Sequence, residues 1–222
     1  MSEPQLTVAS ITFAPTQLAA LGAAIGKEVP MFWYDIPDRA PRPANDNLPR
    51  VVAFTGLAGS GKSTAADYLI RQHGYVRVKF AGPLKAAMAA MGFSQEQIEG
   101  NLKETPCAWL NFKTPRYAMQ TLGTEWGRKC IGEDFWAELW VHHANNVLAA
   151  GKRVVVDDCR FPNEAEAVRS LGGVIIKLEG RGGIAGSHES EAGCGQADAI
   201  VENDGCVTGL YAGIEEVIRR AA

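Results

Sequence analysis

The chain has 222 residues, with 22 lysines and arginines against 25 aspartates and glutamates, a formal net charge of −3. Hydrophobic residues make up 46% and charged residues 21%, which suffices for a buried core and excludes global disorder. The length fits one domain with an appendage, and the mild negative balance argues against a protein that coats nucleic acid, so no stable nucleic-acid binding is expected.

The start, Met1-Ser2-Glu3-Pro4, lacks the positive region of a secretory signal. Leu6 to Phe13 alternates loosely like a strand, and Gln17 to Ile25 reads as a short helix. Its apolar part, Leu18 to Ile25, is interrupted by Gly22 and falls well short of the roughly 18 residues a spanning helix needs, so no membrane association is expected. Met31-Phe32-Trp33-Tyr34 is a dense apolar patch that either packs on the main domain or docks a partner. Prolines 37, 41, 43 and 49 surround Asn45, Asp46 and Asn47 in a stretch that reads as an extended linker. Residues 1–49 are therefore expected to be an arm and linker, and 50–222 the main domain.

From Arg50 onward strands alternate with helices. Val51 to Thr55 is a β-branched run, followed by a helix over Lys62 to His73 that Gly74 stops. Tyr75 to Phe80 predicts a second strand. Pro83 opens a helix, and Ser94 with Gln97 has capping-box spacing for another. Thr114-Pro115 starts a helix to about Lys129, and Asp134 caps one that runs to about Ala150. Val154 to Asp157 is a strand, Asn163 to Leu171 a helix, Val174 to Leu178 and Ala199 to Glu202 strands, and Thr208 to Arg220 the closing helix. Such alternation implies a parallel sheet covered on both faces, with ligands at the carboxyl ends of its strands. The five cysteines are scattered without CxxC spacing, which fits neither a zinc site nor a disulfide framework and suits a reducing cytoplasm.

Gly56-Leu57-Ala58-Gly59-Ser60-Gly61-Lys62-Ser63 matches GxxxxGK[ST] at every fixed position, between a predicted strand and a predicted helix. Glycines let the backbone turn its N–H groups toward phosphate oxygens, and the following helix adds its positive end. Lys62 supplies charge to the β- and γ-phosphates, Ser63 a hydroxyl for Mg²⁺, and Thr64 a further phosphate contact. The expected cofactors are ATP and Mg²⁺, with Gly56, Ala58, Gly59, Ser60, Gly61, Lys62, Ser63 and Thr64 around the donor. The expected fold is α/β: a P-loop NTPase three-layer sandwich, with a central parallel sheet of about five strands and helices on both faces.

A second group, Asp157-Asp158-Cys159-Arg160-Phe161-Pro162-Asn163-Glu164, follows the Val154 strand. A carboxylate there can serve the Mg²⁺ shell and Arg160 can face phosphates. A structural Arg160–Glu164 pair is the bland alternative. Farther back, Arg116 and Gln120 share a helical face, with Arg128 and Trp136 near in sequence. They suit a phosphate and a base, or equally an amphipathic helix that puts Tyr117, Leu122 and Trp126 in the core, the reading preferred for those three. Arg181 to Glu191, with His188 and Glu189, reads as a short lid or a surface loop. Glu202 to Gly205 reads as a base-binding loop or a turn, and His142-His143 as ordinary helix residues.

Taken together, the P-loop, Arg116 to Glu125 (RYAMQTLGTE), Asp134-Phe135-Trp136, Val156 to Glu164 (VDDCRFPNE), His188 to Glu191 and Asn203-Asp204-Gly205 resemble the bacteriophage-type deoxynucleoside monophosphate kinases over about Arg50 to Arg220. The resemblance implies phosphoryl transfer from ATP to a deoxynucleoside monophosphate (dNMP), in the cytoplasm of a bacterium or a phage-infected host. It implies Lys62, Arg160, Asp158 and Arg128 as catalytic residues. Arg116, Gln120, Arg128, Trp136, Asp158, Arg160 and Glu164 would surround the acceptor, Asn203 the donor, and Ser63 with Asp158 the metal. Asp157 competes with Asp158 for that last role. A homodimer is compatible with this reading. The alternatives are another small-molecule P-loop kinase, such as a dephospho-coenzyme A kinase-like enzyme, and a P-loop NTPase or nucleotide-binding module without an acceptor.

Overall fold

The computed structural model describes residues 47–181 and 193–221. All of them fall within Trp33–Ala222, the larger of the two units into which the chain divides. The predicted arm elements, the Met31–Tyr34 patch, most of the proline-rich linker and residues 182–191 of the predicted lid lie outside the described residues.

Strand β1 (Val51–Thr55) is fully buried and leads through the glycine-rich loop into helix α1 (Lys62–His73). Gly74 ends α1 in the left-handed conformation, with φ 67°, as a C-terminal glycine should. There follow β2 (Val76–Arg77), α2 (Gly82–Ala90) and α3 (Gln95–Ile98). The capping box of α3 is complete: Gln97 N donates to Ser94 Oγ at 3.3 Å, and Ser94 N to Gln97 Oε1 at 3.0 Å. After two short 3₁₀ turns, Asn101–Glu104 and Ala108–Leu110, α4 (Pro115–Thr121) opens on Thr114, whose hydroxyl accepts from Tyr117 N at 3.1 Å. Beyond a wide helical segment at Leu122–Ile131 come α5 (Phe135–Ala149), β3 (Val154–Val156), α6 (Pro162–Ser170), β4 (Val174–Glu179), β5 (Ala199–Glu202) and α7 (Val207–Arg220).

The five strands form one sheet in the order β2-β3-β1-β4-β5, and every pairing is parallel. Alternate residues of β1 feed opposite cores, as strand geometry requires. Val51 and Ala53 pack with Trp140, Ala144 and Val147 of α5 and Ala165 and Val168 of α6. Val52 and Phe54 pack with Ala65, Ala66 and Leu69 of α1 and Leu210, Ile214 and Ile218 of α7. A third cluster, built on Leu84, Met88, Phe93, Ile98 and Trp136, holds the segments between β2 and β3 together. Among the described residues, no helix is long and apolar enough to cross a membrane.

The structure corrects four expectations. The strand expected over Tyr75 to Phe80 is only Val76–Arg77. Val78 N still reaches Val155 O at 3.0 Å, but Trp140 Nε1 takes Val78 O at 2.8 Å and Asp158 takes the next amides, so side chains replace the ladder. Asp134 begins α5 but caps none of its amides, because its carboxylate accepts instead from Asn163 Nδ2 at 2.9 Å. The helix expected from Thr114 to Lys129 changes at Leu122 to i→i+5 bonding. Trp136 Nε1 donates to Gly123 O at 2.8 Å, and a Cβ at Gly127 would lie 2.3 Å from that same nitrogen. The indole thus engages a carbonyl that an α-helix would use itself. Tyr117, in the regular part of this helix, and Trp126, in the wide part, are 50% and 45% exposed and not in the core, while Leu122 does pack inward.

Trp140 is fully buried, stacks on Phe80 at 4.6 Å and holds the end of β2 through its indole N–H. Trp140→Ala should therefore cost about 3–5 kcal/mol of stability, read from urea midpoints.

Candidate active site

The loop between β1 and α1 needs its glycines. Gly56, Gly59 and Gly61 have φ of 133°, 81° and 99°. A Cβ on Gly56 would lie 2.6 Å from Leu178 O, and one on Gly61 would lie 2.6 Å from Asn203 Nδ2. Ser60 is fully buried, and its carbonyl accepts from Asn203 Nδ2 at 2.9 Å. Asn203 N in turn donates to Glu179 O at 2.7 Å, so Asn203 braces the loop from below and does not line the cleft. Lys62 Nζ folds back on the loop, donating to Gly56 O at 2.7 Å and Leu57 O at 2.6 Å. Burial, then repulsion from Arg160, pushes its ammonium below the ordinary lysine range.

One cleft of about 400 Å³ gathers Ala58, Gly59, Lys62 and Ser63 of the loop with Arg116, Gln120, Arg128, Trp136, Asp158, Arg160 and Glu164. Gly56, Ser60 and Gly61 shape the loop behind this lining, and Thr64 is exposed outside it.

The two carboxylates after β3 differ sharply. Asp158 accepts from Phe80 N and Ala81 N, both at 3.0 Å, and so ties the β3 turn to the start of α2. Burial, then the neighbouring Asp157 charge, pushes its carboxyl up. Asp157 is 4% exposed, and among the described residues neither of its oxygens has a hydrogen-bond donor. Its nearest cations are Arg77 at 3.5 Å and Lys79 at 3.8 Å, within ion-pair range only. A buried, under-satisfied carboxylate facing the P-loop across the cleft fits a hard cation better than one engaged with two amides.

Glu164 is also buried, and its partner differs from the one expected. Its Oε2 accepts from the backbone amides of Arg160 and Phe161 at 2.7 and 3.1 Å, while its Oε1 takes Arg128 Nη2 at 2.8 Å. The guanidinium of Arg128 lies over the Phe161 ring at 3.6 Å. Arg160 is exposed along the cleft, and its guanidinium has no ion-pair partner among the described residues. On the opposite wall Arg116 pairs with Glu104, and Trp136 is 7% exposed with its N–H spent on Gly123 O. Arg181 Nη2 donates to Gly205 O at 2.9 Å, which joins the start of the lid stretch to the turn after β5.

Sequence reasoning missed Lys79, Lys85, Glu99 and Lys103, which line the same cleft. Lys85 Nζ lies 2.5 Å from Glu99 Oε1, and Lys103 Nζ lies 4.0 Å from Glu99 Oε2. Burial lowers the Lys103 ammonium. Burial would raise the Glu99 carboxyl, but its lysines hold it below the usual range. Lys79 follows β2 at the carboxyl edge of the sheet, a position that could have flagged it. Nothing in the spacing of Lys85, Glu99 and Lys103 marks them as a group.

A parallel sheet of this order, with an anion-binding loop after its central strand, defines a P-loop NTPase α/β protein. The family pattern for deoxynucleotide monophosphate kinase matches residues 108–214. A protein of Acanthamoeba polyphaga mimivirus assigned as a deoxynucleotide monophosphate kinase is 33% identical over 190 residues, covering 78% of this chain and 97% of its own. The deoxynucleotide monophosphate kinase of Escherichia phage RB69 is 29% identical over 109 residues, covering 47% of this chain and 44% of its own. Among solved structures, an APS kinase of Mycobacterium tuberculosis covers 77% of this chain and 95% of its own at 17% identity with a TM-score of 0.40, too loose a likeness to bear weight. The chain belongs to the deoxynucleotide monophosphate kinase family.

Burial pushes the Glu164 carboxyl from the ordinary range near 4.5 up to about 7, against the pull of the Arg160 and Phe161 amides and of Arg128. The folded chain then holds an extra proton between those two values, so stability from this group falls as pH rises through that window. Relative to Glu164→Gln, which cannot titrate, the wild type should lose about 3 kcal/mol between pH 4.5 and 7.5 in urea titrations.

Proposed function

We propose that the protein transfers the γ-phosphoryl group of ATP to the phosphate of a deoxynucleoside monophosphate, yielding the diphosphate for DNA synthesis. The observation that carries this reading is that the P-loop, the Asp157–Glu164 turn and the Arg116–Arg128 helix line one cationic cleft in a chain of this family. The acceptor phosphate has a second pKa near roughly 6 and is mostly dianionic at neutral pH, so no strong base is required. The obstacle is repulsion between two polyanions, which positioning and charge neutralisation overcome.

In this reading Lys62 leaves the loop carbonyls for the donor's β- and γ-phosphates. Arg160 moves with the transferring group, because no partner among the described residues holds it. Arg128, fixed by Glu164, and Arg116 hold the acceptor. The apolar side chains of Leu84, Met119 and Trp136 line the same cleft, and Gln120 adds an amide suited to a base. Ser63 and Asp157 would hold Mg²⁺, which would supply charge neutralisation for the phosphates. Asp158 then has a supporting role, ordering the start of α2.

Lys62→Ala and Arg160→Ala should each lower kcat by about a thousandfold or more with unchanged thermal melting, in a coupled ADP-release assay across the dNMPs. A signal no higher than that without acceptor for every dNMP would overturn the kinase reading. Asp157→Asn should raise the Mg²⁺ concentration for half-maximal rate, whereas Asp158→Asn should mainly lower the melting temperature. The reverse pattern would return the metal to Asp158.

A further inference from the structure

We infer that Asn163 is a positioning residue for the phosphoryl transfer, acting through Arg128. Its carboxamide joins the end of the wide helix, the start of α5 and the start of α6. Asn163 Nδ2 donates to Glu133 O at 3.0 Å and to Asp134 Oδ1 at 2.9 Å, and Asn163 Oδ1 accepts from Arg128 Nη1 at 3.3 Å. The orientation of the amide follows from its partners. An ionised Asp134 and a carbonyl can only accept, and a guanidinium can only donate, so the NH₂ must face the first two and the oxygen the third.

Arg128 without Asn163 would be held by its Glu164 bond at Nη2, by the Phe161 ring beneath it and by a 3.3 Å contact of Nη1 with Glu133 O. Nη1 is held by two equal 3.3 Å bonds, to Asn163 Oδ1 and to Glu133 O, and Asn163 Nδ2 also holds that carbonyl at 3.0 Å. Losing Asn163 removes one of these bonds and loosens the acceptor of the other, which leaves the guanidinium free to swivel in its plane about the Glu164 bond. Of the five N–H groups of a guanidinium, three are then engaged by Glu133, Asn163 and Glu164. Among the described residues nothing engages Nε–H and one N–H of Nη2, two donors available to a phosphate. The side chain of Arg128 is only 11% exposed, so the direction of those two donors is set by this frame and not by solvent.

The inference rests on Arg128 acting on phosphate, as proposed above, and the two can be tested apart. Asn163→Ala should lower kcat by about 10- to 100-fold, the cost of a misplaced group. KM for ATP and the melting temperature should stay near wild type, which a merely structural role would not produce. Asn163→Asp should also be impaired, because an oxygen then faces both the Asp134 carboxylate and the Glu133 carbonyl, and neither can donate to it. If Arg128→Ala is inactive while Asn163→Ala keeps normal kcat, the positioning role is overturned and the role of Arg128 stands. If Arg128→Ala itself turns over normally, both fall.

Discussion

The parallel pairing of β1 with β3 is the constraint on which the rest of the site depends. The register sets Ala53 opposite Val156, so the chain leaves β3 at Asp157 almost level with the point where it leaves β1 for the P-loop. Every backbone group in that pairing is buried, and a parallel ladder leaves no slack for one strand to slide against the other. The anion loop and the acid-rich turn are thus brought together by main-chain geometry before any side chain contributes. β4 adds a second limit from the other side. Leu178 O lies where a Cβ of Gly56 would stand, so the loop begins with a residue that has none.

Around that frame, most cations of the cleft are already occupied. Lys62 is spent on loop carbonyls, Lys85 on Glu99, Lys79 is near Asp157, Arg116 pairs with Glu104 and Arg128 with Glu164. Such an arrangement lets a half-buried cluster of like charges fold without a ligand, since an unpaired buried charge is far costlier than a paired one. It also means that phosphate must compete with local acceptors. Lys62 is the easiest to release, because its partners are neutral carbonyls and Leu57 O keeps its bond from Ser60 N. Arg128 is the hardest, because a buried carboxylate, an amide oxygen, a carbonyl and a ring all hold it. The cleft therefore combines one fixed guanidinium with a lysine and an arginine, Arg160, that are held less firmly, a division that suits the phosphoryl transfer proposed above.

The parts of this design that depend on local chain chemistry were legible in the sequence. The P-loop carries its own glycines, lysine and serine in a row, and β1, α1, β5 and the capping box of α3 follow from patterns a few residues long. The parts that depend on distant contacts were not legible. Asn203 reads as a loop residue beside a ligand, yet its amide is buried against Ser60 because β5 returns beside β4. Asp157 and Asp158 are adjacent and chemically identical, and only the amides of Phe80 and Ala81, some 77 residues away, tell them apart. Glu164 has the right spacing to meet Arg160 on one helix turn, but it meets only the backbone of that residue, and its other oxygen takes Arg128.

The wide helix at Leu122–Ile131 shows how such distant contacts reach the chemistry. An α-helix from Thr114 to Lys129 would keep Gln120, Thr124 and Arg128 in one row. Widening to i→i+5 bonding turns each later residue by less than an α-helical step, so Arg128 is displaced around the axis relative to Gln120. The indole of Trp136 sustains this by taking the Gly123 carbonyl and lying where a side chain at Gly127 would be. The same distortion leaves Trp126 on the surface and swings Arg128 toward Phe161 and Glu164 on α6. Trp136 therefore shapes the cleft from within the core: one N–H bond and one missing Cβ set the helical phase that brings Arg128 to its carboxylate.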